Sequence, residues 1–312
     1  MENLILSFNV VLPLFLCIAL GYCLRLTKLL DDPTQKNLNK LCFKVFLPIY
    51  VFNSIYTTNI SAAFNLKLVA LAVGGVLGIF VLLMLLIPRI EKDNAKRGVM
   101  IQAIFRSNFA LFGLPVVTSL CGEDKIGPAS LLIGFIVPMF SILAVVCLET
   151  FRGGKPDAKK MLRGIATNPL IIGSVLGILF NALNIPIAAG VHKSIVDLGR
   201  IATPLSLVAL GAGFQFRRIR GYARQLIICI SGKLVVGPLV MVALGAALGL
   251  RAEMLAPILA LFGSPVSVSS YTMAEQMNGD GTLAGSLVVL TTAFSILTMF
   301  LFIFVLKQIG LV

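Results

Sequence analysis

The feature that most constrains this chain is a succession of long apolar blocks separated by short polar stretches. The hydrocarbon core of a bilayer is spanned by about 20 apolar residues in a helix, and most of the blocks have about that length. Charged residues make up only 12% of the chain, about half of the roughly 25% usual in a soluble domain. Such a chain cannot cover its apolar blocks with polar surface, so lipid is their solvent. Ten spans follow, at 5–25, 40–57, 68–88, 98–120, 127–149, 168–185, 190–214, 223–249, 253–276 and 282–306. The first block is followed by RLTKLL with no cleavage site, which reads as a retained span rather than a signal peptide.

The connecting stretches carry a one-sided charge. The odd-numbered connections hold 17 cations: Arg25, Lys28, Lys36 and Lys40; Arg89, Lys92, Lys96 and Arg97; Arg152, Lys155, Lys159, Lys160 and Arg163; Arg217, Arg218, Arg220 and Arg224. The first four even-numbered connections hold one each, Lys67, Lys125, Lys193 and Arg251; the ninth connection holds none, and the tail carries Lys307. Basic loops stay in the cytoplasm, which puts both termini on the other side of the cell membrane. The same distribution accounts for the net charge of +13 without a nucleic-acid partner. The six cysteines show no metal-ligand spacing, and the single His192 cannot build a metal site. No nucleotide loop, nucleophile elbow or zinc-hydrolase motif is present. Neither an enzyme, nor a metal centre, nor any other cofactor is expected.

The halves repeat. Ala110–Ser119 reads ALFGLPVVTS and Ala260–Ser269 reads ALFGSPVSVS, identical at seven of ten positions. Lys44 precedes Pro48 by four residues, as Arg200 precedes Pro204, and FSIL occurs at Phe140–Leu143 and Phe294–Leu297. The chain therefore divides into a five-span half (1–150), a cytoplasmic connection (151–167) and a second five-span half (168–312). Five is odd, so the second half enters the membrane inverted, the arrangement of alternating-access transporters.

Within the repeat, Gly113/Pro115 and Gly263/Pro265 are expected to interrupt spans four and nine, because proline removes a backbone donor and glycine lets the chain unwind. Interrupted helices expose positive N-terminal ends, and two such ends brought together make an anion site. Arg106, Asn108, Ser264 and Ser267 cluster nearby and complete the expected substrate site, together with Gly113, Pro115, Gly263 and Pro265. Ionisable residues inside spans are functional candidates. Lys233 is expected to balance charge, for instance against the carbonyls of a broken helix, and Glu275 to relay protons or sit at the interface. The spans offer cations and hydroxyls but no deeply placed pair of acids, which favours an anionic substrate over a cation exchanger.

Taken in order, KVFLPIYVFNSI (Lys44–Ile55), RSNFALFGLPVV (Arg106–Val117), NPLIIGSVLGILF (Asn168–Phe180), TPLSLVALGAGF (Thr203–Phe214), GKLVVGPLV (Gly232–Val240) and GSPVSVSSYTMAEQMNGD (Gly263–Asp280) resemble the auxin efflux carrier family, including its bacterial malate and malonate permease-like members. The resemblance implies ten helices in two inverted repeats, as in the bile-acid symporter and sodium/proton antiporter folds. Spans one, two, six and seven would form a scaffold and the contact of a homodimer. The other spans would move as an elevator, with Asn108, Pro115 and Pro265 near the substrate carboxylate. The plant members' long loop between spans five and six is missing. The expected function is transport of a small mono- or dicarboxylate by alternating access, with proton coupling an option. An anion channel and a sodium-coupled symporter of the bile-acid type are the alternatives.

Overall fold

A computed structural model describes residues 2–57, 65–122, 125–152, 162–164, 166–214 and 221–311, with side chains from residue 12 onward. Lys155, Lys159, Lys160, Arg217, Arg218 and Arg220, assigned above to basic connections, lie outside the described residues. Among those described, all regular structure is helical apart from a single isolated β-bridge.

The helices fall on the apolar blocks. They are α1 (Glu2–Leu26), α2 (Asp32–Leu41), α3 (Leu47–Tyr56), α4 (Leu66–Ile90), α5 (Asn94–Phe105), α6 (Leu114–Cys121) and α7 (Gly127–Thr150) in the first half. In the second half come α8 (Pro169–Ala182), α9 (Ala189–Gly213), α10 (Ala223–Ser231), α11 (Gly237–Ala247), α12 (Ala252–Gly263), α13 (Ser269–Gln276) and α14 (Gly281–Gln308). Wide π-helical turns at Cys42–Phe46 and Gly232–Val236 join α2 to α3 and α10 to α11. A third, Phe109–Gly113, leads into α6. Five stretches are long and apolar enough to cross a membrane: α4, α7, α9, the continuous Ala223–Ala247, and α14. Leu12–Leu26, Phe109–Cys121, α8 and α12 are shorter and equally apolar.

Several ends follow from local chemistry. Asp31, Asn65, Asp93, Asn168 and Asp280 each cap a helix with a side-chain oxygen on a first-turn amide. Pro128 and Pro169 sit in first turns, where their missing N–H leaves nothing unpaired, whereas Pro48, Pro115 and Pro238 follow directly on the three π turns inside longer helical runs. In lipid there is no hydrophobic drive between helices, so close approach depends on small residues. Here α1 crosses α9 with Gly21 against the Val208 carbonyl and Gly211 against the Ile18 carbonyl. In the same way α8 presents Gly173 and Gly177, one turn apart, to the backbone of α3. A Cβ on them would stand 2.6 Å from the Pro48 carbonyl oxygen and 2.9 Å from that of Phe52. Outward faces of α4 and α8 carry exposed leucines, isoleucines and valines, as a lipid-facing surface must.

Candidate functional site

Two interrupted helices meet in the buried interior. In the first, α5 ends at Phe105, Arg106 turns extended (φ −89°, ψ 130°), and helical structure resumes at Phe109. In the second, α12 ends at Gly263, Ser264 turns extended (φ −63°, ψ 149°), and α13 starts at Ser269. The second break has a local cause: Ser264 precedes Pro265, and a residue before proline is pushed out of the helical region. The first break falls at Arg106–Asn108, which corrects the expectation that Gly113 and Pro115 interrupt span four. Pro115 follows the π turn Phe109–Gly113, and the helical run that begins at Phe109 continues through it. Gly113 serves a close approach instead: a Cβ there would lie 2.6 Å from Phe109 Cδ2 and 3.0 Å from Ser264 Oγ.

The breaks satisfy each other. Ser107 and Val266 form the antiparallel bridge, and the Asn108 amide donates to the Pro265 carbonyl at 2.8 Å. The Val266 amide donates to Thr291 Oγ1 at 3.1 Å. This is how irregular backbone persists where water is scarce: these freed groups find protein partners.

Two buried cations flank this crossing. Lys233, 1% exposed on the π turn between α10 and α11, donates through Nζ to Ser107 Oγ. That hydroxyl in turn donates to the Leu261 carbonyl in the last turn of α12. Positive charge thus stands beside a negative helix end, the favourable sense. Arg106, 5% exposed, does the opposite. Its Nη2 donates to Ser269 Oγ at 2.7 Å, at the first residue of α13, and its Nη1 lies against Met273 Sδ. Among the described residues no carboxylate lies within ion-pair distance of either cation.

Beside Arg106 a cavity encloses about 580 Å³ of atom-free space, counting its mouth. Of the expected site, Arg106, Asn108 and Ser267 line it; Gly113, Pro115, Gly263, Ser264 and Pro265 shape the crossing without lining it. Lys233 stands behind Ser107, and Glu275 lines a separate vestibule. The first residues after each break, Phe109–Leu111 and Ser267–Ser269, turn their helix N-terminal ends to this space. The leading amides of a helix have no intrahelical acceptor. The Asn108 side-chain amide nitrogen is buried without a partner. The opposite wall, unforeseen from the motifs, comes from Tyr50 on α3 and from Thr203 and Ser206 on α9. Tyr50, Leu111 and Thr203 also line a cleft that continues to Asn53, Val196 and Arg200.

Long apolar helices around a buried, cation-bearing crossing of two interrupted helices define a multi-pass membrane protein with an interior cavity beside that crossing. Its family follows from the sequence: residues 6–303 match the membrane transport protein family, and the chain belongs to it. This is the auxin efflux carrier family that the motifs resemble. The chain is also similar to a protein of Methanothermobacter thermautotrophicus described as an uncharacterized transporter, with 23% identity over 297 residues, covering 94% of this chain and 96% of that one.

Proposed function

We propose that this transporter carries a small organic anion, a mono- or dicarboxylate, whose carboxylate rests beside Arg106 in the crossing cavity. The observation that carries the reading is the buried guanidinium aimed at a helix N-terminus with no acid among the described residues beside it. A cation and a positive helix end repel across low dielectric. An anion between them removes that repulsion and takes up the free amides of both leading turns. Asn108 and Ser267 complete the carboxylate's hydrogen bonds, while Gly113, Ser264, Gly263 and Pro265 hold the two broken helices at the needed distance. Pro115 lies further along the helix whose first residues, Phe109–Leu111, point at the anion.

The wider frame is ten spans in two inverted five-helix halves, both termini outside the cytoplasm, in the cell membrane of a bacterium. It operates by alternating access, with spans three to five and eight to ten moving as an elevator against a scaffold that also joins two copies of the chain. Lys233 balances the carbonyl end of α12, and Glu275, facing the cytoplasmic vestibule, is the group placed to couple transport to protons. No step of this transport cycle needs a covalent intermediate.

The test is flux into proteoliposomes of malate, malonate, succinate, lactate and an indole acid, with and without imposed pH and sodium gradients. Saturable uptake of at least one acid, lost in Arg106→Ala, is expected. Uptake that never saturates points to a channel, and a strict sodium requirement to a symporter of the bile-acid type. Transport of none of these acids refutes the substrate class.

A further inference from the structure

We infer that the hydrogen bond between Gln35 and Tyr271 is the latch that shuts the crossing cavity off from the cytoplasm, and that the buried polar seam behind it is the solute's route to that side. The inference rests on the transport reading above.

The cavity has a neighbour. A vestibule of about 1140 Å³, counting its open mouth, is lined by Arg25, Asp32, Lys36, Glu275 and the latch pair itself. It lies against the connection between α1 and α2, one of the basic connections, and so on the cytoplasmic side in the proposed topology. One short helix joins the two spaces: Ser267 and Ser269 line the cavity, while Tyr271 and Glu275 line the vestibule. At about 1.5 Å per residue, the barrier from Ser269 to Tyr271 is roughly 3 Å of helix.

That barrier is closed by polar contacts. Gln35 Nε2 donates to Tyr271 Oη at 2.7 Å and to the Ala209 carbonyl at 3.2 Å, tying α2 and α9 to α13. Thr272 Oγ1 donates to Ser206 Oγ at 3.3 Å across the same interface. Next to the latch, Asn39 Oδ1 and Nδ2, Gln102 Oε1 and Ser270 Oγ are buried with no partner. A permanently packed interface sheds such groups, because each one unpaired away from water is costly. They are what a surface needs if it is wet in another state of the cycle. Gly213 confirms the tight fit: a Cβ there would stand 2.9 Å from Tyr271 Oη and 3.0 Å from Gln35 Nε2. On the far side the cavity is separated from the Arg200 cleft only by residues that line both spaces. The structure is therefore latched toward the cytoplasm and thinly covered on the other side.

The test places a cysteine at Ser270 in a chain whose six native cysteines are replaced. An impermeant maleimide then labels it in inside-out and in right-side-out vesicles. Tyr271→Phe removes the acceptor and donor oxygen, and Gly213→Ala wedges the pair apart with both partners intact. Each is expected to raise the cytoplasmic-side labelling rate about fivefold, the population shift that one hydrogen bond of ~1 kcal/mol corresponds to. Labelling unchanged in both variants, or raised only from the other face, overturns the latch. Because labelling needs no substrate, it distinguishes a failed latch from a failed substrate class: wild-type protein that transports none of the acids refutes only the latter.

Discussion

Ser107→Ala should destabilise the protein much more while Lys233 is present than when it is not. The Ser107 hydroxyl accepts from the buried ammonium and donates to the Leu261 carbonyl. Removing it strands a charged donor and a helix-end acceptor together. A hydrogen bond to a charged group contributes roughly 1.5–3 kcal/mol and a neutral one about 1 kcal/mol. The single substitution should therefore cost roughly 2–4 kcal/mol. Lys233→Met keeps the length of the side chain and removes the charge. Replacing a buried charge by an apolar group of similar volume is often close to neutral, and Ser107 keeps its carbonyl partner. In that background Ser107→Ala loses only the neutral bond, about 1 kcal/mol. The coupling in the double-mutant cycle is then roughly 1–3 kcal/mol. With no tryptophan in the chain, the assay is thermal unfolding in detergent read by a thiol-reactive dye, using buried Cys42, Cys147 and Cys229 as reporters. A large protein shifts by about 2–4 °C per kcal/mol. Ser107→Ala should lower the midpoint by roughly 4–16 °C alone and by about 2–4 °C beside Lys233→Met. Equal drops in both backgrounds refute the relay.

Three further outcomes are expected. Gly211→Leu should lower the yield of folded protein in detergent, since its side chain would enter the Ile18 backbone, whereas Gly74→Leu, facing open space, should not; overpacking typically costs about 1–3 kcal/mol. Cysteines replacing Lys92 and Lys193 should react with impermeant reagent from opposite faces of the membrane, Lys92 from the cytoplasm; labelling from the same face contradicts an odd number of spans between them. A transported acid at 100 times its Kd should stabilise the protein by about 2.7 kcal/mol, visible as a raised unfolding midpoint in wild type and Lys233→Met but not in Arg106→Ala; an equal rise in Arg106→Ala means the anion binds elsewhere.

Apolar block length carried the helical architecture in the sequence, because it is set by the bilayer and needs no tertiary contact. The break in span nine was legible too, since the Ser264–Pro265 step has a local steric cause. The break in span four was not. Its Gly-x-Pro looked equivalent to that of span nine, yet the helical run passes through Pro115 behind a π turn, and the glycine answers to Ser264 across the crossing. A local signal existed in Arg106–Ser107–Asn108: serine and asparagine compete for backbone groups and favour helix ends, and three polar residues interrupt an apolar span there. Tyr50, Thr203 and Ser206 lay within motifs that marked the family, but nothing along the chain says that α3 and α9 close the same cavity. That is a tertiary fact, as is the hydroxyl through which Lys233 reaches the Leu261 carbonyl.

The two buried cations also divide the labour of the site, by a rule that uses only helix polarity. Lys233 stands near a carbonyl end, so its charge is already answered by the protein and would be needed even by a crossing that bound nothing. Arg106 leaves the end of α5 and reaches the amide end of α13, where its charge adds to the helix instead of opposing it. A fold selected for stability alone would exchange that guanidinium for an acid or a neutral group, as helix N-terminal ends generally prefer. On the proposed reading, keeping it makes the empty crossing less stable than it could be, and an arriving anion would recover the difference. The energy of binding would then be stored as unrelieved positive potential at a position that is already built, so that a small solute is recognised by its charge in a cavity whose other contacts are Asn108, hydroxyls and apolar walls.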